Sequence, residues 1–198
     1  FPELCYAWLV VLDENYGNTV ESGMNDGNFS VVRVNCAVDV TVYDKNGNTV
    51  ASIVNEQPQH IEDSSYIYGL DDNGQKFIVL PDDSDYEIKI TCREDDSVNY
   101  GVNEYSAAEG MYVRNTNYFD LSMIEGESIT ARISGAESTL EDSDNTTINS
   151  DSDLKGAENA SAMYSVRAST EDSSYGTVSG NGMHFYGSFA KVSASAKE

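Results

Sequence analysis

Between positions 28 and 134, apolar and polar residues alternate almost without interruption, and this period of two constrains the chain more than any other property. Every second side chain of a β-strand faces the same way, so a chain patterned like this buries one face of a sheet and wets the other. In VVRVNCAVDVTVYD, the residues Val32, Val34, Cys36, Val38, Val40 and Val42 share one face. In YEIKITC, Tyr86, Ile88, Ile90 and Cys92 do the same. Both faces are expected to point into a core, either as two buried free thiols or, if the strands face each other, with a Cys36–Cys92 disulfide. Three cysteines cannot all pair within one chain, which leaves Cys5 odd in both cases.

The turns carry as much information as the strands. VDVTVYDKNGNTVASIV reads as a hairpin, with runs 38–43 and 49–54 joined across residues 44–48. Asn46 and Gly47 supply the positive φ angles of a tight reversal, and β-branched residues fill the strands. SYIYGLDDNGQKFIVL repeats the device with Asn73 and Gly74 at the turn. Pro81 then ends the strand, because it has no N–H to give to a ladder. YEIKITC, VNYGVNEYS, YVRNTNYFDL and ESITARI follow as short runs separated by turn residues. The prediction is an all-β fold, an antiparallel β-sandwich of immunoglobulin-like architecture over residues 28–134.

The flanks differ from this body. In FPELCYAWLVVLDENYG, Leu4, Trp8, Val11 and Leu12 recur at helical spacing, with Pro2 at a helix start and Gly17 at a helix end. A strand through CYAWLVVL fits as well, so residues 1–27 are a helical or extended segment that packs on the sandwich or belongs to an upstream domain. Residues 135–161 hold seven acidic residues, one Lys and no aromatic residue, which predicts an acidic linker. Alternation returns at Ala162, Tyr164, Val166 and Ala168, where a second, smaller β module over residues 162–198 is expected. Gly176, Gly180, Gly182 and Gly187 permit the tight reversals that such a module needs. The chain has no initiator Met and no basic leader, so it reads as part of a longer protein with domains on both sides.

Charge removes two classes of partner. With 34 acidic residues against 11 basic ones, the net charge of -23 repels nucleic acid and anionic lipid headgroups over about 8 Å at physiological salt. The longest apolar stretch, residues 6–12, falls well short of the roughly 20 residues that cross a bilayer.

The catalytic inventory is thin. His60 and His184 lie far apart in sequence, and no Gly-x-Ser-x-Gly elbow is present; YGSFA around Ser188 lacks the second glycine. Carboxylate pairs such as those in PDDSD and REDD read as solvated turns, and neither Cys-x-x-Cys nor His-x-x-x-His spacing occurs. No catalytic residue and no cofactor is expected. Calcium candidates exist by ligand type alone, at Asp71 and Asp72, at Asp82, Asp83 and Asp85, and in the acidic run 142–153, although none follows a calcium-loop pattern. Tyr66, Tyr68, Tyr100 and Tyr105 are candidates for contact with a protein or glycan, because an aromatic face with a polar tip suits both.

The last stretch carries a resemblance. YSVRAS, GTVSG, HFYGS and KVSASA follow one another as do the strand, glycine turn, aromatic segment and Ala-rich strand of the internalin-type B repeat of bacterial surface proteins. The continuation, a Gly-Tyr-x-Phe-x-x-Trp type closing strand, does not follow before Glu198, so an exposed or shared sheet edge is expected. The body, from CAVDVTVYDKNGNTVASIVN to NYFDLSMIEGESITARI, resembles accessory β domains of secreted clostridial-type proteins. Together these imply a non-catalytic extracellular segment of a bacterial surface protein, acting as spacer and adhesion or protein-binding module, with an unidentified protein or glycan as partner. The alternative is an accessory, substrate-positioning domain of a secreted hydrolase whose catalytic domain lies upstream. A carbohydrate-binding module would need exposed, coplanar aromatics.

Overall fold

The computed structural model describes residues 27–62, 64, 66–71, 74–135, 137–161, 163–170, 174, 176–179, 182–185 and 192–196. The helix or strand expected in the N-terminal segment, Cys5, Asp72, Asn73 and Ser188 lie outside the described residues.

The long alternating run that opens the sandwich is two strands in two different sheets, β1 (Phe29–Asn35) and β2 (Val38–Asp44). Cys36, at φ 101°, turns the chain from one sheet to the other, and the Val38 N–H bonds the Cys36 carbonyl at 2.9 Å. The connection is two residues long, so the parity of the pattern survives the switch. Val32 and Val34 therefore meet Val38, Val40 and Val42 across one core, from opposite layers.

The expected hairpins form. β2 pairs with β3 (Thr49–Val54), placing Val40 opposite Ile53 and Val42 opposite Ala51. In the turn, Gly47 takes φ 81° and the Asp44 carboxylate accepts the N–H groups of Asn46 and Asn48, both at 2.8 Å. The short β4 (Gln57–Pro58) continues this layer. β5 (Ile67–Leu70) pairs with β6 (Lys76–Pro81), with Gly74 at φ 78°. β7 (Asp85–Cys92), β8 (Asp96–Ser106), β9 (Met111–Met123) and β10 (Ser128–Ser134) complete the predicted body.

Residues 135–161 correct the linker expectation. They form β11 (Glu137–Glu141), β12 (Thr147–Ile148), β13 (Ser152–Lys155) and the short helix α1 (Ala157–Ala160). β11 adds to β10, β12 adds to β11, and β13 crosses to the other layer and pairs with β9. The Ser, Asn and Asp density is turn chemistry: the Asp142 carboxylate accepts the N–H groups of Asp144 and Thr146 at 2.9 and 2.8 Å, and Asn145 takes φ 60°. An edge strand needs few apolar side chains, and here Leu140 reaches the core while Ile148 packs against it.

The result is two antiparallel sheets packed as a sandwich. One has six strands in the order β13-β9-β8-β1-β6-β5, and the other has seven in the order β12-β11-β10-β7-β2-β3-β4. Beyond them, β14 (Met163–Val166) pairs with β16 (Gly182–Phe185), and β15 (Gly176–Ser179) with β17 (Ser193–Ala196), as two interleaved ribbons. A Cβ on Gly176 would fall 2.5 Å from the Ser195 carbonyl oxygen, so this close pairing requires glycine. β17 is exposed along its length.

If the acidic segment is part of the sandwich, Leu140→Ala behaves as a core truncation and costs about 2–4 kcal/mol in urea unfolding. A cost near zero would return residues 135–161 to the role of linker.

Candidate functional site

The structure disperses the residues that the sequence singled out. Tyr100 is buried in the core, its ring tilted against Tyr118 at 5.7 Å, and so offers no surface to a ligand. Tyr66 meets Tyr86 edge to face at 5.9 Å and hydroxyl to hydroxyl at 3.3 Å, while Tyr68 donates its hydroxyl to the Gln59 carbonyl at 2.5 Å. Tyr105 stacks on Phe29 at 4.5 Å and meets Tyr112 edge to face. Tyr66, Tyr68 and Tyr105 are each half-buried in such contacts, and the four tyrosines do not form one flat platform.

The aspartates are engaged within a turn or between strands. Asp71 accepts the Gln75 N–H at 2.9 Å, and Asp85 accepts the Ser134 hydroxyl at 2.6 Å. Partial burial raises the Asp82 carboxyl, against a hydrogen bond with Asn28 that lowers it, and Asp83 lies near Tyr86. Among the described residues, no three His, Cys, Asp or Glu side chains come together as a metal-binding group. His60 is exposed, and the half-buried His184 sits in β16 opposite Tyr164. Among the described residues, neither histidine has a hydrogen bond to a serine.

Cys36 and Cys92 are free thiols, which excludes their pairing in this structure. Cys36 donates to the Ser97 carbonyl and Cys92 to the Glu94 carbonyl. Burial and the nearby Asp96 push the Cys36 thiol up to about 11, so it is protonated at neutral pH and a poor nucleophile.

Sequence reasoning missed three polar clusters built on arginine and lysine. The first lies at the Cys36 corner. Lys76 is fully buried, and its ammonium donates to the Cys36 carbonyl at 2.8 Å and to both Glu56 carboxylate oxygens at 3.0 and 2.9 Å. Arg93 pairs with Glu56 and, at 3.3 Å, with Asp39. Because Lys76 stands in the six-stranded sheet while Glu56 and Arg93 belong to the β3–β4 turn and the end of β7, the cluster ties the two layers together. The available signal was parity: Lys76 falls on the same face as Ile78 and Leu80, a position that points inward.

A second cluster sits at the opposite end of β1. Arg114 in β9 holds Asp153 of β13 through two bonds, at 2.7 and 3.1 Å, and reaches Glu104 at 3.4 Å. The guanidinium is largely spent on Asp153. Burial therefore wins at Glu104, aided by Asp82 and Asp153, and pushes its carboxyl up to about 7.

The third cluster is on the outer face of the six-stranded sheet, where the registers place side chains in rows. One row runs Ile67, Val79, Val31, Asn103, Asn115, Leu154 across β5, β6, β1, β8, β9 and β13. The next runs Gly69, Phe77, Arg33, Gly101, Asn117, Ser152. The face is thus apolar on β5, β6 and β1 and amide-rich on β8 and β9, with Arg33 at the border. A Cβ on Gly101 would come within 2.9 Å of the Asn117 Oδ1 and 3.1 Å of Arg33 Nη2, so glycine opens the lane through which Arg33 reaches Asn117, at 3.2 Å. Arg33 is nine-tenths buried, among the described residues its Nε and Nη1 have no hydrogen-bond partner, and burial pulls its guanidinium down to about 10. The Asn103 Nδ2 is likewise buried and without a partner among the described residues. The sequence signal was the unbroken apolar run, as in FIVL and VVRV, which marks strands covered on both faces.

Comparison with protein-family models, with curated proteins and with solved structures finds no match to this chain.

Glu56→Ala leaves the Lys76 ammonium buried without its carboxylate and is expected to cost about 3 kcal/mol. Lys76→Met costs less, because Glu56 is partly exposed and keeps Arg93; equal losses in urea unfolding would show that the Lys76 charge is solvated. Glu104 binds its proton more tightly folded than unfolded, so the stability tied to that proton is full below pH 4.5 and is lost as pH rises through about 7. Glu104→Gln is therefore expected to stabilise the chain by about 1–2 kcal/mol at pH 8, with the gain vanishing near pH 4.5. A gain independent of pH, in unfolding curves at the two values, would show that Glu104 titrates normally.

Proposed function

We propose that this chain is a non-catalytic, extracellular segment of a bacterial surface protein, serving as a spacer and as an adhesion or protein-binding module. One observation carries the reading: the ionic groups that the sheets gather are engaged in joining elements. Lys76, Glu56 and Arg93 tie the layers at one end of β1, and Arg114 with Asp153 pins the returning acidic segment at the other. A sandwich braced at both ends holds its loops at fixed separation, which is what a spacer and a presenting scaffold need. The immunoglobulin-like form of the sandwich and the likeness of residues 162–198 to a surface repeat belong to the same reading. A net charge of -23 keeps such a segment dispersed beside anionic surfaces.

The loops at the Cys36 end supply a contact surface. Ile124 is 65% exposed in the β9–β10 turn, where the Glu127 carboxylate accepts its N–H at 3.0 Å and Asp95 accepts the Glu125 N–H at 2.9 Å. These bonds hold an apolar side chain among carboxylates and tie two neighbouring loops. The arrangement favours a partner that offers an apolar pocket with basic surroundings.

The test is retention of the purified chain on immobilised extracellular glycoproteins, compared with Ile124→Ser and Glu125→Lys. Both variants are expected to keep the fold and lose most of the retained protein. Turnover of ester, glycoside or peptide substrates that disappears in a His60→Ala, His184→Ala double variant would overturn the non-catalytic reading.

A further inference from the structure

The sequence holds three Asn-x-Ser/Thr tripeptides, at Asn28, Asn145 and Asn159, with Ser30, Thr147 and Ser161 as their hydroxyl residues. In a chain that leaves the cytoplasm, this tripeptide is where an oligosaccharide is joined to an asparagine amide, and the attached sugar must stand in solvent. The fold treats the three differently.

Two are closed by their own contacts. The Asn28 amide oxygen accepts the Ala107 N–H at 3.0 Å, and its side chain also bonds the Asp82 carboxylate. Ser30 stands within β1 between Leu80 of β6 and Glu104 of β8, so this tripeptide is not drawn out without opening the six-stranded sheet. Asn159 lies in α1, where its Nδ2 donates to the Lys155 carbonyl at 3.1 Å, and the Ser161 hydroxyl donates to the Tyr112 carbonyl at 3.0 Å. At both places the groups that a glycosyl transferase must handle are already holding elements together.

The third is open. Asn145 and Thr147 are exposed, at and just beyond the β11–β12 turn. That turn closes without their side chains: the Asp142 carboxylate accepts the Asp144 and Thr146 N–H groups, and the Asp142 N–H bonds the Thr146 carbonyl at 3.0 Å. Asn145 takes the left-handed position, at φ 60°, which asparagine tolerates better than most residues. Among the described residues, no hydrogen bond engages the side chain of Asn145 or of Thr147.

We propose that Asn145 is the attachment site of an N-linked glycan, delivered from a lipid diphosphate-linked oligosaccharide once the chain is outside the cytoplasm. The inference rests on the extracellular reading above and adds a covalent site to it. The Asn145 Nδ2 bonds the anomeric carbon of the sugar, the bond from that carbon to phosphate breaks, the lipid diphosphate leaves with the electron pair, and the amide nitrogen gives up one proton. The Thr147 hydroxyl, two residues on, is the group that the transferase reads. The position also suits the product. β12 is two residues long and ends the seven-stranded sheet, and a glycan on the turn beside it shields that edge from pairing with another chain.

The folded full-length chain, incubated with a purified oligosaccharyltransferase and a lipid diphosphate-linked oligosaccharide, is expected to gain the mass of one glycan. Tandem mass spectrometry is expected to place it on the peptide that contains Asn145. Asn145→Gln and Thr147→Ala are expected to abolish the gain with unchanged circular dichroism, whereas the Ser30→Ala, Ser161→Ala double variant keeps it in full. A folded chain that stays unmodified would overturn the proposal, as would a glycan mapped to Asn28 or Asn159, or one that persists in Asn145→Gln. The assay is independent of adhesion: a chain retained on glycoproteins yet left unmodified sinks this inference alone, and a modified chain that is not retained sinks only the adhesive role.

Discussion

The sandwich depends on one corner. At Cys36 the chain leaves the six-stranded sheet and enters the seven-stranded one within two residues, and this short switch keeps the alternation of β1 in phase with that of β2. A connection longer or shorter by one residue would turn Val38, Val40 and Val42 outward, because a shift of one in a period of two exchanges the faces. The corner is not free of strain. Cys36 sits at φ 101°, a region that residues with a side chain rarely occupy, and such a conformation persists where the surroundings over-determine it. Here the surroundings are the Lys76 ammonium on the Cys36 carbonyl, the Val38 N–H on the same oxygen, and the Arg93 N–H on the Ala37 carbonyl at 2.9 Å. Lys76 is buried at this point because the corner gives its charge a carbonyl and Glu56 gives it a carboxylate.

From that corner the two layers acquire different characters. The seven-stranded sheet behaves as a half-wet sheet, with charged residues such as Glu87 and Arg132 on its outer side, paired at 3.3 Å. The six-stranded sheet differs, since five consecutive residues are buried in each of β1 and β6 and Arg33, Asn103, Asn115 and Asn117 form a buried polar row beside the apolar patch. An exposed guanidinium would be satisfied by water. Arg33 is buried, and among the described residues its Nε and Nη1 have no hydrogen-bond partner, so this face carries a desolvated charge that the other sheet's outer face does not.

The body of the fold was legible because its signals are local. The Asn-Gly turn, the Pro81 stop and the alternation of YEIKITC each specify their own element, and the hairpins β2–β3 and β5–β6 form at the expected places. What was not legible depends on long-range pairing. VVRVNCAVDVTVYD carries one unbroken parity, which does not reveal that the chain changes sheets at its middle. Residues 135–161 lack the apolar content of a self-sufficient strand, but β11 borrows the ladder of β10 and β13 that of β9, so few apolar anchors suffice. The polar clusters were hidden for a related reason. Glu56 and Lys76 are far apart in sequence and meet only once the sheets are stacked, and Arg114 and Asp153 meet only once β13 pairs with β9, whereas adjacent carboxylates such as Asp82 and Asp83 stand out in the sequence yet simply lie in the β6–β7 turn. Tyr100 shows the limit of residue type, since the features that suit an aromatic ring to a binding surface suit it equally to a core.

The acid excess explains where the sandwich is pinned. With 34 acidic groups and 11 basic ones, almost any surface position can find a carboxylate, so a carboxylate alone specifies no location. The scarce cations do. Lys76 and Arg93 join the layers at the corner, Arg114 receives the last strand, Arg132 links Glu87 of β7 to Glu141 of β11, and Arg33 marks the outer face. Each of these cations engages groups from strands distant in sequence, so each selects one long-range arrangement against the many that the alternation would permit. The mutual repulsion of the remaining carboxylates opposes compaction everywhere else, which sharpens the preference for the arrangement in which the cations are matched.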